Sequence, residues 1–312
     1  LNLKKLPGAL VTTGWLAEAL ARPEEWPQLR IVDARWRGDG TSSRELYRQD
    51  HLPGAVHLDW ELDLSWTDRR GIRDLILPPA RFAEVMEQAG IGDETLVVAY
   101  ADTDYSGAAR LWWALHYYGH EGVAVLDGGL DRWLAEGRTV SSGAFQPAFD
   151  PGTLRFTPRP QPGWLATQTQ IQAALERQDS QIRLVDTRPP EQYHGQAVWT
   201  PPGSRFLDPA ASTIEIGARG PMRAGHIPGA VNLHASPTFL NQEDWTYLPP
   251  EQIRRKAEEA GLYPEQRLIT YCGVGISASM GLFGLHLAGY KNLALYDASW
   301  EEWGTDPACP IE

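Results

Sequence analysis

An α/β architecture, with two parallel sheets each covered by helices on both faces, is predicted by three features of this 312-residue sequence. Four landmarks recur in the same order in both halves. Short β-branched runs alternate with helix-like segments. A stretch rich in Pro, Gly and Ser separates the two copies. At 42% hydrophobic residues, the chain can bury the cores of two ordinary domains.

The first copy reads IVDARW from Ile31, HLPGAVHL from His51, AGIGDETLVVAYAD from Ala89 and YYGHEGVAVLDGGLDRW from Tyr117. The second reads LVDTRP from Leu184, HIPGAVNL from His226, AGLYPEQRLITYCG from Ala260 and LAGYKNLALYDASWEEW from Leu287. LRIVDA, TLVVAY and VAVLDG, like IRLVDT, RLITYC and LALYDA, read as buried strands. PARFAEVMEQAG, GAARLWWALHYYG and PEQIRRKAEEAG read as helices between them. Right-handed crossovers follow. The segment Gly137–Trp164 lacks helical periodicity and suits an extended linker. The expected organisation is therefore a first domain over 1–140, a linker over 141–164 and a second domain over 165–312.

The second copy separates its first two landmarks by about 22 more residues than the first copy. The extra segment, falling within 195–225, is loop-like in composition and carries Arg205, Arg219 and Arg223. It reads either as a functional loop or as a tolerated surface insertion.

Net charge is −12, and no Lys/Arg cluster offers phosphates a counter-surface, so nucleic acid is not an expected partner. No run approaches the roughly 18 apolar residues of a membrane span, and the first residues contain no continuous apolar stretch. Two cysteines cannot build a disulfide framework, which favours a reducing, cytoplasmic setting. One of them, Cys309, lies in the proline-flanked tail DPACPIE, where fraying is expected.

The other, Cys272, opens the turn CGVGIS between the strand RLITYC and the helix SASMGLFGLHLAG. Open α/β sheets place their sites at such turns. Glycines there let successive N–H groups point inward, and the helix N-terminus adds partial positive charge, so the turn suits an anion. A free thiol titrates near roughly 8.5, so keeping it ionised at neutral pH takes about 2.5 to 3 kcal/mol of selective stabilisation. A helix terminus supplies on the order of 0.3 to 2 kcal/mol, and charge-assisted N–H bonds can supply the rest.

Three readings of Cys272 compete: an inert buried thiol, part of a dinucleotide fingerprint in GVGISA, and a nucleophile in an anion cradle. The fingerprint has an acidic partner in Asp297, 24 residues after Gly273, but the chain ends 15 residues beyond that aspartate, too soon for the remaining strands. The matching stretch of the first copy, YADTDYSGAARL, also lacks the glycines. A cysteine phosphatase would need an arginine closing the loop, where Ala278 and Ser279 stand.

The VDAR and VDTR strands, the HLPGA and HIPGA turns, the VLDGGLDRW segment, the cysteine loop and the terminal YDASWEEWG together resemble the tandem-domain rhodanese family of sulfurtransferases, the thiosulfate and 3-mercaptopyruvate sulfurtransferases, over nearly the whole chain. The resemblance implies two rhodanese-like folds, a catalytically silent first domain and a catalytic second one. It implies that Cys272 takes a sulfane sulfur from a small-molecule donor, thiosulfate or 3-mercaptopyruvate, as a persulfide. The sulfur then passes to a thiol or cyanide acceptor, with a thioredoxin-like reductant as a further partner. No metal or organic cofactor is implied.

By the same resemblance the amides of Gly273, Val274, Gly275, Ile276 and Ser277 cradle the sulfur, Arg188 binds the donor's anionic end and Trp36 faces the cleft. The six-residue loop matches sulfurtransferases, whereas related arsenate reductases and dual-specificity phosphatases have a longer one. Ala101 or Asp102 stands where the first copy would have its cysteine. Thiosulfate enzymes of the family carry a basic pair in the loop, as in CRKGVT. The neutral loop here is nearer the CGSGVT of mercaptopyruvate enzymes, with Val274 replacing their serine. A second donor-binding arginine does not align, and Arg205 or Arg223 is the expected substitute. A non-enzymatic persulfide carrier or thiol redox sensor is the competing class. His51, His226, Asp33 and Asp186 recur in both copies, which favours structural roles, and DASWEEW reads as a helix start anchored by tryptophans.

Overall fold

Five parallel strands form the sheet of each half, in the same topology. A computed structural model describes residues 4–144, 154–200, 203–208, 211–215 and 221–312. The first sheet runs, in spatial order, Leu10–Val11, Val123–Leu126, Leu96–Tyr100, Leu29–Asp33, Val56–His57. The second runs Val231–Asn232, Ile182–Asp186, Arg267–Tyr271, Leu293–Tyr296, Leu165–Ala166. In each, the fourth strand of the half lies at the centre and pairs with the second. Its C-terminal end is thus the point where the strand order reverses, the position at which such sheets form a crevice.

The sequence explains the central strands. VVAY and LITY are buried along nearly their full length, as strands covered on both faces must be. The helices that follow them, Ser106–Tyr117 and Ile276–Leu287, are buried almost all round and carry small or apolar residues on every face.

The chain divides into two compact units. One comprises Leu1–Ser65, Ile76–Gln161 and Asn241–Tyr247; the other comprises Trp66–Leu75, Pro162–Leu240 and Leu248–Glu312. The second unit thus includes a ten-residue segment from the first half of the sequence, and Ile72 of that segment packs in its core with Ile269, Tyr271, Trp300 and Trp303. Burying an aromatic side chain of this kind removes roughly 150–250 Å² from water, or about 4–6 kcal/mol before entropy is counted.

Two expectations need correction. The insertion is not simply loop: Ala197–Thr200 pairs antiparallel with Gly203–Phe206, and Thr213–Glu215 with Pro221–Arg223. Its composition hides this because, among the described residues of these four strands, only Ala197, Val198 and Met222 are buried, so little apolar alternation marks the ribbons. Arg219 lies outside the described residues.

The tail is not frayed. Cys309 is 2% exposed, Trp303 Nε1 donates to the Pro310 carbonyl at 2.8 Å, and Glu312 exchanges backbone hydrogen bonds with His226 at 2.9 and 3.0 Å. Arg223 binds the carbonyls of Trp303, Gly304, Asp306 and Cys309, which ties the tail to the fold. Of the linker, residues 154–161 are ordered against the first unit, with Phe156 buried on Phe82 and the Arg159 N–H donating to the Tyr118 carbonyl at 2.8 Å.

Candidate active site

Cys272 directly follows the central strand of the second unit and is 3% exposed. Its backbone is held by the segment after the next strand. The Cys272 N–H donates to Ser299 Oγ at 3.1 Å, and the Ser299 hydroxyl donates to the Tyr296 carbonyl at 2.8 Å. The Cys272 and Gly273 carbonyls accept the N–H groups of Trp300 and Glu301 at 3.0 and 2.9 Å. Ser299 holds this bridge in left-handed backbone at φ 50°, a conformation that costs a non-glycine residue roughly 1–2 kcal/mol. Strain of this kind persists where surrounding contacts over-determine it.

The loop then turns at Gly275, with φ 81°, into the helix Ile276–Leu287. A side chain at Gly273 would meet Trp199, whose Cγ lies 3.1 Å from the position of a Cβ there. With the Cys272 and Gly273 carbonyls held, the N–H groups of Gly273, Val274, Gly275, Ile276 and Ser277 donate to no acceptor among the described residues. Five successive donors at a helix N-terminus form a site for an anion. Ser277 Oγ lies 3.3 Å from Thr187 Oγ1, linking the loop to the neighbouring strand end.

Arg188 leaves that neighbouring strand and is 2% exposed. Its Nε and Nη2 are occupied by Asp186, and Nη2 also donates to the Gly225 carbonyl at 2.7 Å. Its Cζ lies 4.3 Å from the Trp300 ring centroid. Nη1 is buried and has no hydrogen-bond partner among the described residues. Burial works against the charge of Arg188, but Asp186, with Tyr271 and Cys272 contributing less, outweighs it, so the guanidinium is raised above its ordinary range.

The first unit repeats this lock, with Arg35 on Asp33 and the Asp50 carbonyl. The paired histidines are repeated too: His51 and His226 stack on Tyr47 and Tyr193 at 4.0 and 3.8 Å, and each Nδ1 meets its tyrosine's carbonyl.

Of the other expected residues, Trp36 belongs to the first unit, where its indole N–H donates to Glu61 at 2.8 Å and its ring packs on Trp60. Arg205 is exposed on its ribbon, and Arg223 is committed to the tail carbonyls. Sequence reasoning missed Ser299, Trp199 and Thr187. For Ser299 a signal existed, since the matching position of the first copy is Gly129, at φ 52°.

The strand registers settle which residue of the first copy matches the cysteine. Asp33 pairs with Tyr100 as Asp186 pairs with Tyr271, and the Leu130 N–H binds the Ala101 carbonyl as that of Trp300 binds Cys272. Ala101 therefore occupies the place of Cys272. Among the described residues, no cluster of three or more His, Cys, Asp or Glu could hold a metal, and no helix is long and apolar enough to cross a membrane.

The family model of the rhodanese-like domain matches this chain twice, over residues 14–136 and 167–306, and the chain belongs to the rhodanese family. It is 34% identical over 300 residues to human 3-mercaptopyruvate sulfurtransferase, covering 95% of this chain and 91% of that protein. It is 33% identical to rat thiosulfate sulfurtransferase, covering 95% and 91%, and 30% identical to the sulfur carrier protein TtuD of Thermus thermophilus, covering 98% and 96%. Among solved structures, SseA of Escherichia coli, a 3-mercaptopyruvate sulfurtransferase, shares the fold at TM-score 0.74 and 24% identity, covering 94% of this chain and 98% of its own. The anaerobic ergothioneine biosynthesis enzyme of Chlorobium limicola aligns at TM-score 0.78 and 25% identity over 97% of this chain and 70% of its own. The chain is accordingly an enzyme, a sulfurtransferase.

Proposed function

We propose that this sulfurtransferase works through a persulfide on Cys272, with the 165–312 region catalytic and the 1–140 region silent. The observation that carries the reading is the run of unpaired N–H groups from Gly273 to Ser277 beside a cysteine fixed at the crevice of the sheet. The cradle favours an anion at the sulfur position, both the thiolate before transfer and the persulfide after it.

With 3-mercaptopyruvate, the Cys272 thiolate attacks the donor's sulfur. An S–S bond forms as the C–S bond breaks, and the electron pair passes to carbon, giving an enolate that takes up the thiol proton as pyruvate. An acceptor thiolate or cyanide then attacks the outer sulfur and releases the Cys272 thiolate. With thiosulfate the broken bond is S–S and sulfite leaves. The neutral loop favours 3-mercaptopyruvate, since neither loop residue after Cys272 offers a cation to a sulfonate. Arg188 Nη1 is the atom suited to the donor's anionic end, because the rest of that guanidinium is occupied. Trp36 lines the cleft by resemblance alone. A thioredoxin-like dithiol suits the acceptor role, and a reducing, cytoplasmic compartment suits the exposed chemistry of a persulfide.

Steady-state assays with each donor and cyanide test the reading. Repeated turnover with a higher kcat/KM for 3-mercaptopyruvate is expected. A single stoichiometric sulfur load would instead favour the carrier reading, which the similarity to TtuD also supports.

A further inference from the structure

The Trp66–Leu75 segment brings two arginines to the helix Ser299–Trp303, which supports the cysteine loop. Arg70 pairs with Glu302, and Arg73 Nε donates to Glu301 Oε1 at 2.7 Å. Arg73 also reaches the loop by a second route: its Cζ lies 5.7 Å from the ring centroid of Trp199, the residue packed on Gly273. Glu301 is fully buried, while its own N–H holds the Gly273 carbonyl. A buried carboxylate next to a loop built for an anion opposes that function unless it is neutralised.

The first unit sharpens the point. Its matching segment, Asn241–Tyr247, contributes Asp244 to Arg132, the counterpart of Glu302, at 4.0 Å, so the outer ion pair is present in both units with its charges exchanged. The counterpart of Glu301 is Asp131, which makes no ion pair among the described residues. The second pair exists only where there is a cysteine.

We propose that Arg73 is a positioning residue of the sulfur-transfer site: it neutralises Glu301 and thereby keeps negative charge from acting on Cys272, while holding the Glu301 N–H on the loop. This rests on Cys272 being the nucleophile. The charged and titratable groups on the elements around the cysteine loop are Arg188, Asp186 and Tyr271 on the strand side, and Asp297, Glu301 and Glu302, with Arg73 and Arg70, on the helix side. Arg73→Gln removes the charge paired with Glu301 and the cationic contact on Trp199, and the double variant with Glu301→Gln separates the first effect from the second.

The test is the pH dependence of Cys272 alkylation by iodoacetamide, read by mass spectrometry of the Cys272 peptide, together with the pH profile of kcat/KM. Arg73→Gln is expected to move both acid limbs up by about one pH unit, an approximately tenfold slower alkylation below the transition. Arg73→Lys should stay near the wild-type profile, and the double variant Arg73→Gln/Glu301→Gln should return to it. Unchanged alkylation in Arg73→Gln, or a double variant as shifted as the single one, overturns the proposal. Should Arg73→Gln fail to fold, the double variant carries the test: a wild-type titration supports the neutralising role, and a shifted one contradicts it. Alkylation reads the thiol directly, so an error in the donor or in the persulfide step leaves this outcome unaffected.

Discussion

The two units build a turn at the same place after the central strand and line it with different residues. In the first, the Ser106 N–H at the helix start is taken by Asp104 at 2.8 Å, and Asp102 pairs with Arg37, so the turn itself carries carboxylates. In the second, no acidic residue lies between Cys272 and Ser279, and the amides stay open. Where Gly129 adopts the left-handed backbone at no cost, Ser299 adopts it under strain and gains a hydroxyl on the Cys272 N–H. The first unit therefore differs from the second by more than the lack of a thiol: a carboxylate of its own turn takes an N–H at its helix start.

The largest expected effect comes from removing the asymmetry at its centre. Cys272→Ser should lower turnover by at least about 10³-fold with either donor, measured by thiocyanate formation. Cys309→Ser should leave turnover unchanged, because Gln168 Nε2 lies 3.0 Å from that sulfur and burial raises its thiol above the ordinary range. Next, importing a carboxylate like those of the first unit's turn into the loop as Val274→Asp should fill the cradle and lower kcat/KM by about 10²-fold or more, with circular dichroism showing a folded protein.

Ser299→Gly, which imports the matching residue of the first unit, removes the two hydrogen bonds of the Ser299 hydroxyl and relieves the strain. It should change stability by no more than about 1 kcal/mol in urea unfolding while lowering kcat.

The smallest effect is in acid. Burial lowers the pKa of His57, His116 and His120 in the first unit and that of His234 in the second. A lowered folded pKa means the unfolded chain binds more protons, so stability falls as pH drops below about 6.5. Burial raises Asp127 and Asp131, which opposes this only nearer the carboxylate range. Amide hydrogen exchange should show the first unit loosening first on mild acidification.

The sequence made the duplication, the sheets and the cysteine turn legible because each is written in contiguous residues: buried strands, glycines and a helix start. It left Trp199, Ser299 and Arg73 unread because the topology brings them to the loop from three distant segments. The Trp199 ribbon shows almost no apolar alternation, and Arg73 lies in the half that carries no cysteine. Arg188 was readable as a residue but not as a geometry. Its commitment to Asp186, repeated by Arg35 and Asp33, leaves one guanidinium nitrogen for chemistry, which no motif reveals.

The proposed mechanism depends on the loop amides receiving a sulfur anion on Cys272, and a crystal structure of the protein soaked with 3-mercaptopyruvate or thiosulfate tests this directly. The expected result is one extra sulfur bonded to Cys272 Sγ, with N–H groups of Gly273–Ser277 within about 3.5 Å of it. Extra sulfur on Cys309, or a Cys272 sulfur turned into the apolar core away from those amides, would contradict it.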